Sequence, residues 1–271
     1  MLNNITPVIL TYNEEPNLER TLAKLSWAQE IIVVDSFSTD QTAQIAAQHP
    51  QVRFVQRKFD THATQWNYGV RLASTDWVLS LDADYTLSDA LIEEMSQLQS
   101  DTDINAYSIS FQYCVFGKPL SGTLLPPRMA LFKPSQSTYI DDGHTQLLTV
   151  SGSTTELQSP ILHDDRKALS RWVWAQQRYV ELEVEKLNNT SWDELSWGDR
   201  IRSYKVLAPF VILFYCLFVK RTILDGFGGW YYTLQRLFFE IWLSIRLIES
   251  SRSSAMGSTS NPSPTLNTMK A

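Results

Sequence analysis

The sequence predicts an α/β protein built on a Rossmann-like, mostly parallel sheet and followed by C-terminal helices that associate with a membrane. Short apolar runs alternate with helix-like stretches through the first hundred residues, the pattern of successive βαβ units. Several of those runs end in polar or acidic residues, where ligands of such sheets gather. Late in the chain the charge changes sign: residues 200–252 hold eight Lys or Arg against Asp225, Glu240 and Glu249, a local +5 on a protein of net charge -6.

The first expected strand is Pro7 to Thr11, followed by a helix near Pro16 to Leu25, where a proline in the first turn is tolerated. Ile31 to Asp35 is the second strand, and Ser38 or Asp40 caps a helix through Gln48. Val52 to Gln56 and Trp77 to Leu81 are the third and fourth strands, with a helix over Thr61 to Ala73 between them. Ser88 then caps a helix through Leu98. Beyond Ala106 the pattern turns β-rich, with Tyr107 to Phe116 and Arg128 to Phe132 set among Gly, Pro and Ser, and this stretch is read as the acceptor side. Leu169 to Leu187 is a helix whose stripe of Trp172, Ala175, Tyr179 and Leu182 packs on the body. The domain reading is a catalytic domain over 1–168, a helical membrane-associating region over 169–249, and a disordered Ser-, Thr- and Pro-rich tail over 250–271.

An acidic balance argues against nucleic acid as a partner. With only Cys114 and Cys216, far apart, a disulfide framework is not expected and a reducing compartment fits. Met1 to Pro7 has no basic start and no long apolar run, so no signal peptide is expected and the protein is placed in the cytoplasm.

The strongest chemical feature is Trp77 to Asp84, WVLSLDAD, an apolar strand ending in two carboxylates one residue apart. Alternation puts Asp82 and Asp84 on one side, where they can hold a hard divalent cation whose other positions go to diphosphate oxygens and water. A pair of acids ending a strand also serves as a solvated turn. Two further strand ends share that edge: Leu10-Thr11-Tyr12-Asn13-Glu14-Glu15 and Val33-Val34-Asp35-Ser36-Phe37-Ser38-Thr39-Asp40. Tyr12 can stack on a base and Asp35 can hydrogen-bond to base or ribose. Helix capping explains either loop alone, and explains three converging ends less well.

In order and spacing, TYNEEPNL, VVDSFSTDQT, Gln65-Trp66-Asn67-Tyr68-Gly69 and LDAD resemble the inverting family 2 glycosyltransferases of GT-A fold, over roughly residues 5–165. The lipopolysaccharide core and envelope-glycan enzymes are the most similar subgroup. The resemblance implies a nucleotide-sugar donor, a UDP-sugar being commonest, and a lipid-linked or glycan acceptor in envelope polysaccharide or lipopolysaccharide biosynthesis. It implies that Thr11, Tyr12, Glu14 and Asp35 line the nucleotide site and that Asp82 and Asp84 engage Mg²⁺ or Mn²⁺ and diphosphate. Asp141-Asp142-Gly143-His144-Thr145-Gln146 lies where the family carries its catalytic acid segment, often ending in His-Glu, and here Thr145 stands for that Glu. The general base therefore moves to Asp142, with Asp141 second, because inverting displacement needs a carboxylate to deprotonate the acceptor hydroxyl. A turn-forming Asp-Asp-Gly is the competing role. His163 matches a histidine that ligates the metal in some relatives, and Arg128 is placed to neutralise phosphate.

Two other enzyme classes have a claim on these residues. Asp82-Ala83-Asp84-Tyr85-Thr86 fits the DxDxT of haloacid-dehalogenase-like phosphatases, with Lys133 and Asp164-Asp165 as loose partners, although that motif normally ends a first strand. A Rossmann dehydrogenase lacks its GxGxxG. A sugar-nucleotide binding protein without catalysis is the third reading, favoured by Thr145.

Val206 to Val219 is apolar but reaches only about 21 Å, short of a ~30 Å hydrocarbon core. Gly226 to Gly229 is expected to break the chain before an amphipathic helix, Trp230 to Ile248, with Leu234, Leu237, Phe238, Ile241, Ile245 and Ile248 on its apolar face. Flanking positive charge favours a peripheral or monotopic place on the anionic cytoplasmic face of the inner membrane. The same helices also suit core packing or a homo-oligomer.

Overall fold

A computed structural model describes residues 1–99, 103–122, 124–142 and 145–257. The chain separates into two compact units, Met1–Leu169 with Lys220–Tyr231, and Ser170–Val219 with the residues from Tyr232 onward.

The first unit is α/β. Strands β1 (Ile5–Thr11), β2 (Ile31–Asp35), β3 (Val52–Gln56) and β4 (Trp77–Asp82) lie in the order β3-β2-β1-β4, all parallel. They are apolar along most of their length because helices cover both faces: α1 (Leu18–Ala23), α2 (Thr42–Ala47), α3 (His62–Leu72) and α4 (Asp89–Gln97). The sheet continues through β8 (Arg128–Phe132), β6 (Ile104–Val115), β11 (Ser153–His163) and β5 (Tyr85–Leu87). There β6 and β11 are parallel, while β8 and β5 run antiparallel to their neighbours. A short β7 (Lys118–Pro119) folds back on β6, and β9 (Ser137–Asp142) with β10 (Thr145–Val150) forms a separate hairpin.

The cap expected at Ser88 is present, its side chain accepting from the backbone of Leu91 at the start of α4. Thr61, read as the first residue of its helix, is instead the cap of α3, its side chain accepting from the backbone of Thr64. The α2 helix is shorter than expected. It starts at Thr42, with Asp40 accepting from its backbone N–H 3.0 Å away.

Helix α3 is a bracket built from the QWNYG sequence. Gln65 reaches toward the end of β2, donating to Ser36 Oγ at 3.2 Å. Trp66 stacks on Tyr139 of β9 with ring centroids 5.5 Å apart. Asn67 makes two hydrogen bonds to the Tyr139 backbone, donating to its carbonyl at 2.8 Å and accepting from its N–H at 3.0 Å. Gly69 lets the helix come down on the sheet: a Cβ there would stand 2.6 Å from Val8 Cγ1.

The second unit contains α5 (Leu169–Asn189), α6 (Trp197–Ser203), α7 (Ala208–Phe214) and most of α8 (Gly226–Gly257). Its apolar core is Val180, Leu187, Leu195, Phe239, Leu243 and Leu247. Beside it sits a buried ionic network. Arg202 donates to Glu240 at 2.6 Å and to Glu183 at 2.9 Å, and Lys186 with Ser196 holds Asp199. The packing stripe of α5 is therefore Gln176, Val180, Glu183 and Leu187, not the expected Trp172, Ala175, Tyr179 and Leu182. A buried Glu183 is accepted because Arg202 meets it.

Two other expectations are corrected. Gly226 to Gly229 does not interrupt the chain but forms the first turn of α8, Gly229 being required because a Cβ would lie 1.8 Å from the Thr222 carbonyl oxygen. The tail expected to lose structure at Ser250 is helical to Gly257, and residues 258–271 lie outside the described ones.

Gly69→Ala tests the bracket. Alanine in an exposed helix would add stability. Here overpacking against Val8 and Val34 should instead destabilise by about 1–3 kcal/mol, read as a lower urea midpoint at unchanged slope. An unchanged midpoint would show that α3 can lift from the sheet without loss.

Candidate functional site

Register places the three motif-bearing strand ends side by side. Thr11 pairs with Asp35 across β1 and β2, and Leu10 pairs with Asp82 across β1 and β4. The polar residues after these strands consequently converge at one sheet edge.

Asp35 is fully buried, and all of its acceptor capacity is used. One oxygen accepts from Thr11 Oγ1 at 2.9 Å and from Ser38 Oγ, the other from the Ser38 N–H at 2.8 Å and Gln56 Nε2 at 3.1 Å. In this arrangement Asp35 ties together the ends of three strands and shapes the loops around it. Asn13 completes the tie, donating its N–H to Ser38 Oγ and accepting from the Thr39 N–H, both at 2.8 Å. What the two loops present outward is aromatic. Tyr12 is 45% exposed and Phe37 53% exposed. Phe37 was not singled out from the sequence. Its φ of 61° lies in the left-handed region, disfavoured for a bulky residue, and Asn13 opposite has a φ of 55°.

The second cluster surrounds the end of β4. The His163 Nε2 lies 3.3 Å from Asp84 Oδ2 because β11 pairs with β5, His163 opposite Tyr85. Burial works against the charge on Asp84, but His163 holds its carboxyl below the usual carboxylate range. Burial likewise opposes a proton on His163, and Asp84 outweighs it, raising the imidazole. Asp82 is pushed up, chiefly by burial and then by Asp84, while exposed Arg128 and a hydrogen bond from Tyr85 pull it down. Arg128 thus stands near enough to act on Asp82.

Glu14 belongs to the same cluster. It accepts from Lys167 Nζ at 2.6 Å and from Asn17 Nδ2 at 2.9 Å. Burial pushes its carboxyl up to about 7, with Lys167 pulling down and Asp84 pushing up. Asn17, wholly buried, also donates to Asp165 and accepts from the Arg166 N–H and Arg20. Asn17 lies inside the TYNEEPNL motif without a role attached there, and Lys167 was not singled out. Their partners are about 150 residues away along the chain, which no local pattern reveals.

Asp141 is at the end of β9, where its Oδ2 accepts from Thr61 Oγ1 at 3.3 Å. Asp142 follows it, paired in the backbone with Thr145. The Asp142 side chain, Gly143 and His144 lie outside the described residues. Among the described residues, no group of three His, Cys, Asp or Glu is disposed to hold a metal ion alone. The donor set of Asp82, Asp84 and His163 nevertheless suits a hard divalent cation: two carboxylates, one raised by the other, and an imidazole whose Nδ1 is buried without a hydrogen-bond partner. Diphosphate oxygens would have to complete the coordination.

The profile of Glycosyl transferase family 2 matches residues 6–143. Over 108 residues the chain is 31% identical to an uncharacterized glycosyltransferase of Rickettsia bellii, covering 40% of this chain and 36% of that protein. It is 30% identical over 103 residues to the lipopolysaccharide core biosynthesis glycosyltransferase LpsC of Rhizobium meliloti, covering 36% of this chain and 38% of that protein. The aligned part spans little more than a third of either relative. Among solved structures, S. aureus TarS 1-349 in complex with UDP-GlcNAc superposes with a TM-score of 0.51 at 14% identity, over 92% of each chain. That likeness is one of fold.

The left-handed Phe37 yields a stability prediction. Phe37→Gly removes a backbone strain of about 1–2 kcal/mol and adds chain entropy of about 0.5–1 kcal/mol, so the variant should be as stable as the parent or up to about 1.5 kcal/mol more so by urea unfolding. A clear loss of stability would mean that the ring is a packing element instead of an outward-facing surface.

Proposed function

The chain belongs to glycosyl transferase family 2, and from that membership we propose that it is an inverting glycosyltransferase, moving a sugar from a nucleotide-sugar to a membrane-associated glycan or lipid of the cell envelope. The observation that carries this is the convergence of the Thr11, Asp35 and Asp82 strand ends on one sheet edge, with Asp84 and His163 beside them. A UDP-sugar is the proposed donor, and lipopolysaccharide core assembly the proposed setting. TarS is described with UDP-GlcNAc and LpsC as a core biosynthesis enzyme, which supports this choice.

In this reading Tyr12 and Phe37 offer apolar faces to the base, and the Asp35 tie holds their loops in place. Asp82, Asp84 and His163 would hold Mg²⁺ or Mn²⁺ against the diphosphate. A bound divalent cation offsets charge developing on the departing nucleoside diphosphate. Arg128 and Lys167 add positive charge near the same carboxylates. Glu14 keeps Lys167 in position through its 2.6 Å contact. Asp142 removes the acceptor proton. Asp141 is the second choice, since its carboxylate is already engaged by the cap of α3. Attack from the face opposite the leaving group inverts the anomeric centre.

The phosphatase reading loses its lysine. Lys133 lies 5.3 Å from the ring of Trp77, at the start of β4, whereas Asp82 ends that strand.

Asp84→Ala should abolish metal-stimulated UDP binding as well as transfer. Calorimetry finding the same affinity in chelator and in Mn²⁺ for the parent protein would remove the metal from the mechanism. Asp142→Asn should bind UDP normally but turn over slower by about two to four powers of ten, the usual worth of a general base. If Asp141→Asn has that phenotype and Asp142→Asn does not, the base is Asp141. Phe37→Ala and Tyr12→Ala should each weaken UDP binding by about 1–3 kcal/mol, the value of one base–aromatic stack.

A further inference from the structure

Helix α8 has two apolar faces, and the second unit uses only one. Phe239, Leu243 and Leu247 pack inward with Val180 and Leu187 of α5. The face expected from the sequence to be the apolar one remains outside: Leu234, Phe238, Ile241, Ile245 and Ile248 are exposed, Ile245 to 58%. Alongside it runs α7, continued by a π-helical turn over Tyr215–Val219, and together they line one apolar groove that includes Val206, Phe210, Leu213, Leu237, Ile241 and Ile245. Phe210 is 73% exposed, and Phe214 and Phe218 are exposed beyond it. Large apolar side chains exposed side by side in this way mark an interaction surface.

We propose that this face of α7 and α8 is the surface by which the protein lies in the interfacial layer of an anionic phospholipid bilayer. Charge identifies the occupant. Between residues 204 and 248 the only acids are Asp225 and Glu240, and both are turned to internal partners, Asp225 to Ser121 and Glu240 to Arg202. Lys205 precedes the apolar run and Lys220-Arg221 closes it. An apolar face without an unpaired carboxylate, ended by cations, complements hydrocarbon bordered by phosphate. Tyr204, Tyr215 and Trp230 are exposed near the ends of these segments, the positions aromatics take at headgroup depth. No helix among the described residues is long and apolar enough to cross a membrane, so the contact is monotopic. Part of the basic charge counted in the sequence is occupied internally, Arg202 by Glu240 and Glu183, and Arg246 by Glu249. Apolar insertion therefore contributes more than attraction to headgroups. The first unit's 220–231 segment has the same character, with Phe227 91% exposed.

The inference concerns the second unit and stands apart from the transfer chemistry, so its test reads lipid binding. Full-length protein is to be sedimented with vesicles of phosphatidylcholine, with and without phosphatidylglycerol, at low and high salt. Binding should be strongest with phosphatidylglycerol, weaken in salt, and persist in part until detergent is added. Ile241→Asp, Ile245→Asp and Phe210→Asp should each weaken partition by at least about tenfold, the effect of losing one buried large apolar side chain. UDP binding and the urea midpoint serve as controls and should not move, since these positions are exposed. Failure of full-length protein to bind either vesicle would overturn the proposal. So would a homodimer by light scattering that Ile245→Asp dissociates while vesicles are ignored, which would assign the face to a second copy of the chain.

Discussion

A carboxylate with no access to water needs a donor for each of its lone pairs, and Asp35 has four. Meeting that need draws Thr11, Ser38 and Gln56 toward one point, so the ends of β1, β2 and β3 cannot drift relative to one another. Everything exposed at this edge inherits its position from the buried acid. The Tyr12 and Phe37 loops are held in conformations that would be unfavourable alone, with φ values in the left-handed region at Asn13 and Phe37. The strain at each, about 1–3 kcal/mol, is of the same order as the cost of leaving one buried Asp35 oxygen unpaired.

The end of β4 solves the opposite problem. Asp82, Asp84 and Glu14 bring negative charge together where water is scarce, and His163, Lys167 and Arg128 offset it. Of these, His163 and Lys167 come from the end of β11 and the segment after it, about eighty and a hundred and fifty residues from the acids they face. The β11 pairing with β5 delivers them. A sheet whose last strands only finished a core would have no reason to end in these two cations.

Most of the first unit was legible because its signals are local. Alternating apolar runs gave β2 and β3 to the residue, and Ser88 caps its helix as its side chain and place before the apolar run suggest. The convergence of three strand ends followed from parallel order alone. What was not legible depends on partners distant in sequence. Asn17 gains meaning only when Asp165 and Arg166 arrive, and the tie that Asp35 makes shows only once its four donors are seen. In the second unit the error came from treating apolar residues as the packing face. The buried stripe of α5 includes Gln176 and Glu183, and no hydropathy pattern anticipates a buried glutamate without knowledge of Arg202.

That arginine has a consequence for the geometry of α8. A helix with apolar residues on two sides could roll about its axis at little cost, since either face would satisfy a greasy neighbour. Glu240 acts as an index pin. Its pairing with Arg202 fixes one angular setting, and rolling away would strand a buried charge at about 3–5 kcal/mol. The polar contact thereby decides which hydrophobic face is kept for the interior and which is turned out. In this helix, orientation is set by a buried acid among the oils.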